Sequence, residues 1–128
     1  MNDKIKYWLE LSEYDLETAK AMLTSKRYLY VGFMCHQAIE KIFKAYYTKL
    51  KNETAPFTHS LSYLAKKGEF YEEFSEEQKD IIDIIEPLNI ETRYPSNKER
   101  IMKSLDDNKS KEILDETVKL QEWIKTKL

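Results

Sequence analysis

The stretch VGFMCHQAIEKIFKAYYTKL, Val31 to Leu50, decides the fold. At about 100° per residue, Val31, Cys35, Ala38, Ile42 and Ala45 fall on one narrow stripe, with Ile39 and Tyr46 at its margin. Roughly opposite, His36, Glu40 and Tyr47 lie near a second line, with Phe33, Phe43 and Lys44 beside it. A helix that is apolar or aromatic on two sides is expected to be buried on both. The second cover can come from a short third helix, from a long connection later in the chain, or from a second copy of the chain. We expect that one protomer has too little material for this, which places Phe33, Phe43 and Tyr47 at a dimer interface.

On the N-terminal side, Ile5, Trp8, Leu9, Leu16, Ala19 and Leu23 recur at helical spacing and predict a helix from Asn2 or Asp3 to Thr24, with those two residues as caps. The segment TSKRYLY connects it to the second helix, which runs to about Lys51. Beyond that, Pro56 disfavours helix at Ala55. A short third helix is expected in THSLSYLAKKG, capped by Thr58, ended by Gly68 and turning Leu61 and Leu64 inward.

Ser75 and Gln78 have capping-box spacing ahead of Ile81, Ile82, Ile84, Ile85 and Leu88, so a fourth helix is expected to falter near Pro87. From Asn89 to Asp107 no clean period appears, and NKERIMKSL suggests at most a turn of helix. A closing helix begins near Asp106 or Asp107 and carries Ile113, Leu114, Thr117, Leu120 and Ile124 inward. These segments predict an all-α protein, an antiparallel up-and-down bundle of four to five helices forming one domain over residues 1–128.

Composition agrees with that architecture. With 2 Gly and 3 Pro in 128 residues, the chain lacks the turn residues that an all-β fold of this size requires. A net charge of −2 gives no overall attraction to nucleic acid or anionic membrane, so any basic site must be local. The single cysteine, Cys35, has no internal disulfide partner, and neither a signal-peptide pattern nor a long apolar run is present. A cytoplasmic protein without membrane association is expected.

Several chemistries are weighed on particular residues. His36 and Glu40, one turn apart, can form a hydrogen-bonded pair, and Glu40 and Lys44 have the favourable order at the same spacing. This edge either makes structural polar contacts or helps to line a ligand or RNA groove. A metal at His36 and Glu40 lacks a third ligand, because His59 beside Thr58 suits a helix-start contact better; no metal or cofactor is expected. Cys35 lies on the core stripe, away from His36, and is not expected to be a nucleophile. Gly32 and Gly68 are too far apart for a phosphate loop. In TRYPSNKER, Arg93 offers a planar donor fork, with Tyr94 held extended by Pro95 and Lys98 and Arg100 following. Arg93 can grip a phosphate or pin the loop by pairing with Glu40.

CHQAIEKIFKAYY, with the later THSL and TRYP and the opening SEYDLETAKAML, resembles the HEPN domain family in residue types and order along nearly the whole chain. The resemblance implies a small helical bundle, commonly dimeric and often partnering a minimal nucleotidyltransferase in a toxin–antitoxin-type system. On the matching positions it implies a nucleotide- or RNA-binding site at His36, Gln37, Glu40, Lys41, His59, Arg93 and Tyr94. Some relatives are metal-independent ribonucleases with an Arg and a His four to six residues apart near the start of the final helix. This chain has no histidine after His59, so no catalytic residue is assigned. The leading expectation is a nucleotide- or RNA-binding, partner-interacting module; the alternative is an endoribonuclease with a nonstandard site.

Overall fold

The computed structural model describes residues 2–90 and 94–128. Six α-helices follow in order: α1 (Asp3–Thr24), α2 (Tyr28–Lys51), α3 (Leu61–Lys67), α4 (Glu76–Ile85), α5 (Pro95–Ser104) and α6 (Asp107–Lys125). Single 3-10 turns occur at Tyr71–Glu73 and Glu86–Leu88, and there is no strand among the described residues. The expected helical bundle is found, and α2 is its axis: it packs against each of the other five helices.

Local chemistry sets the boundaries. The Asn2 side chain accepts from the Ile5 N–H to start α1, and Asn52, left-handed at φ 53°, ends α2. The Ser75–Gln78 capping box is complete on α4. Ser60, rather than Thr58, caps α3; the Thr58 hydroxyl instead accepts from the Ser60 N–H at 3.1 Å, one step ahead of the helix.

The expected single turn in NKERIMKSL is a ten-residue helix, α5, started by Pro95 at a position that needs no N–H donor. None of its residues is fully buried, and Ile101 alone packs against the core, so its inward face has too few apolar residues for a period to be read.

Helices α1 and α2 run antiparallel, joined by a tight reversal in which Lys26 takes φ 61°. Helix α6 runs parallel to α2: Tyr28 donates to Asp107 at one end (2.9 Å), and Lys49 donates to the Lys127 and Leu128 carbonyls at the other. Helices α3 to α5 form the return path between them. A buried chain of hydrogen bonds fixes the register of the three long helices. Gln121 donates to the Ser12 hydroxyl (3.0 Å), which donates to the Ala38 carbonyl (2.6 Å). Sliding any one helix by a turn would leave buried polar groups unpaired.

The first cover of α2 is α1 and α6, which meet the stripe of Val31, Cys35, Ala38 and Ile42. The second corrects the sequence-based expectation. Phe43 stacks on Phe74 and meets Phe70 edge-on, both at 5.5 Å, and Tyr46 lies 4.8 Å from Phe70. Phe43 and Tyr47 are 0% and 1% exposed within a single chain, so they are core residues and not a surface offered to a second copy. The missing material is Phe70 and Phe74, which flank a 3-10 turn in a segment without helical periodicity. Phe33 is half-buried, near Tyr30 on the outer side of α2.

Two glycines permit close approaches. Leu88 and Leu105 press onto α2 where Gly32 has no side chain: a Cβ there would lie 3.1 Å from Leu105 and 3.3 Å from Leu88. At Gly68 a Cβ would lie 2.6 Å from the buried Phe70 ring and 3.0 Å from the Leu64 carbonyl. Gly68→Ala is therefore expected to cost about 1–3 kcal/mol in urea unfolding, the usual cost of overpacking. An unchanged midpoint would show that the ring moves aside freely.

Candidate functional site

His36, Glu40 and Lys44 stand one above another at successive turns of α2. All three are buried, at 0%, 3% and 7% exposure. A buried carboxylate must be paired, and Glu40 is paired on both oxygens. Oε1 meets His59 Nδ1 at 2.9 Å, while Oε2 accepts from Lys44 Nζ at 3.1 Å. The Lys44 ammonium also lies 5.1 Å from the centre of the Trp8 ring, so its far side is covered by an aromatic face.

His36 sits between two carboxylates. Its Nδ1 is 3.9 Å from Glu40 Oε1 and its Nε2 3.8 Å from Glu86 Oε2; these are ion-pair separations, and neither ring nitrogen makes a hydrogen bond. Glu86 in turn closes the start of α3. It accepts from the N–H groups of Leu61 (2.9 Å) and Ser62 (3.2 Å) and from the hydroxyls of Ser60 and Ser62, both at 3.1 Å. Partial burial alone would raise the Glu86 carboxyl. His36, the Leu61 and Ser62 N–H groups and the Ser60 hydroxyl outweigh it and hold the group at about 2.

The structure thus brings together His36, Glu40 and His59 and adds Lys44 and Glu86. The Glu40–Lys44 pair follows from i,i+4 spacing, whereas nothing in the sequence around Glu86 announces its contact with His36. Lys41 turns toward α1 and pairs with Asp15, and Gln37 is half-buried with no hydrogen bond to its amide nitrogen. Tyr94 is 78% exposed at the start of α5 and makes no hydrogen bond or ion pair with the cluster. Arg93 lies outside the described residues.

The outward member of the cluster is His59, whose side chain is 54% exposed. Nδ1 is engaged by Glu40, so Nε2 is the ring nitrogen left for a ligand. Phe57, two residues earlier, is fully exposed, and Tyr63 on α3 is 47% exposed with Lys67 Nζ 5.7 Å from its ring centre. An oriented, half-open imidazole can hydrogen-bond a polar ligand, and an exposed aromatic ring can stack on a planar one. The Cys35 thiol is pushed up to about 12 by burial and stays protonated. Among the described residues, no three His, Cys, Asp or Glu side chains are grouped to hold a metal ion, and no helix is long and apolar enough to cross a membrane.

The six helices among the described residues pack around α2 as a helical bundle. The chain belongs to the HEPN domain family, whose model matches residues 5–127. The crystal structure of TT1696 from Thermus thermophilus has the same fold, with a TM-score of 0.82 at 21% identity over 99% of this chain and 100% of that one. Among curated proteins, none matches the chain.

Proposed function

We propose that the chain is a nucleotide- or RNA-binding and protein-interaction module, with His59 as the ligand-facing group. The observation that carries this reading is His59, held at 2.9 Å by the buried Glu40 and left more than half open, two residues after the exposed Phe57. Membership of the HEPN domain family supports a nucleotide- or RNA-related role. The finer parts rest on the resemblance: a homodimer, for which Phe33 remains a candidate contact, and a minimal nucleotidyltransferase partner in a toxin–antitoxin-type system. Arg93 and Tyr94 belong to the same proposal as phosphate contacts.

Calorimetry with ATP, GTP and a short single-stranded RNA, on wild type, His59→Ala, Phe57→Ala and Arg93→Ala, tests the ligand half. Loss of one stacked base costs about 1–3 kcal/mol, so Phe57→Ala is expected to weaken binding about tenfold. His59→Ala is expected to remove the hydrogen bond without unfolding the chain. Equal heats for all four proteins would overturn the reading. The endoribonuclease alternative draws on the same Glu40–His59 geometry, in which a carboxylate orients an imidazole for proton transfer. Cleavage of total RNA that disappears in His59→Ala would favour it.

A further inference from the structure

A second site lies away from this seam. Between the end of α4, helix α5 and the start of α6 runs an open groove of about 430 Å³, within the range of ligand pockets. Its floor is aliphatic, made by Leu88, Ile101, Leu105 and Ile113, and two of these four rest on Gly32. No aromatic ring is among the described lining residues, so they offer no stacking face for a base. The charged groups on the rim are both cationic: Arg100 on α5 and Lys109 on α6, and no carboxylate is among the described lining residues.

Lys109 has a long contact with Glu112, at 3.9 Å, whereas Arg100 makes no ion pair with a described residue. On the groove wall Ile84 is 38% exposed. A local cationic rim on a chain of net charge −2 selects its partner by sign.

We propose that this groove docks an acidic amphipathic helix of a partner protein, its aliphatic side chains on the floor and its carboxylates between Arg100 and Lys109. An aliphatic floor fits Leu and Ile anchors at i, i+4 and i+7, and the rim fits Asp or Glu beside them. Helix α5, which buries none of its own residues, gains its missing cover in the complex. The inference rests on the protein-interaction half of the proposed function and is independent of the ligand half.

The test uses a synthetic peptide of about 16 residues, long enough to form a helix, with Leu at those positions and Glu on both flanks. A matched peptide carries Lys in place of Glu. Fluorescence anisotropy with the full chain is expected to show the acidic peptide bound about tenfold more tightly than the basic one, and more weakly as salt is added. Arg100→Glu is expected to reverse that preference. Ile84→Asp, at an exposed position, is expected to weaken the acidic peptide while leaving the helical circular dichroism unchanged. His59→Ala is expected to leave peptide binding unaltered, which separates this site from the nucleotide reading. Equal binding of the two peptides, or acidic-peptide binding indifferent to both groove variants, overturns the proposal. So does binding of AMP or an RNA oligomer that is lost in Arg100→Glu while neither peptide binds.

Discussion

Phe43→Ala is expected to destabilise the protein by about 3–5 kcal/mol in urea unfolding, the range for removing a fully buried phenylalanine. The ring is 0% exposed and packed against Phe70 and Phe74 of the same chain, so its removal leaves a cavity that the two remaining rings cannot easily close. Because no second copy takes part in this contact, the loss is expected to be the same at every protein concentration. A midpoint that rises with concentration in wild type, and no longer does so in the variant, would restore an intersubunit role for Phe43. A loss below about 1 kcal/mol would mean that the site collapses around the gap.

Glu86→Gln is expected to cost about 2 kcal/mol near neutral pH and almost nothing in strong acid. The carboxylate accepts four hydrogen bonds at the start of α3 and faces His36; an amide in its place turns a donor toward groups that are themselves donors. The sign of the pH effect follows from the direction of the shift. The folded-state value, about 2, lies below the ordinary 4.5, so the contribution is fully present above about 4.5 and is lost as pH falls toward 2. The Glu86 side chain is 29% exposed, and solvent screening keeps the contribution nearer 2 kcal/mol than the full shift implies. Unfolding of wild type and variant across pH 7 to 2 reads this directly, because subtracting the two cancels carboxylates that titrate in both. A gap that persists undiminished at the acid end would place the stabilisation elsewhere.

Those two residues also mark where the sequence was legible and where it was not. Caps and periods act locally, so α1, α2, α4 and α6 could be read from neighbouring residues, down to the Ser75–Gln78 box. That α2 is covered twice was equally readable, since both faces lie within one helix. What covers it was not, because Phe70 and Phe74 belong to an irregular segment whose packing is a tertiary fact. Helix α5 escaped for a different reason: with only Ile101 resting on the core, its inward face is too sparse to detect. In the candidate site the alignment of His36, Glu40 and Lys44 follows from helical geometry. The position of His59 came through its resemblance to family motifs, and Glu86 enters from another helix end, where only the fold brings it to His36.

Burial of α2 on two faces also has a cost during synthesis. About 55 residues separate the end of α2 from the start of α6, which completes its first cover. At ordinary rates of translation, roughly 5–20 residues per second, that is a delay of roughly 3–11 s. For that interval the nascent α1–α2 hairpin carries one greasy flank in open water, and Ser12 waits for Gln121. Chaperone capture and premature aggregation are therefore expected to act on this protein while it is still attached to the ribosome, more than on the finished chain.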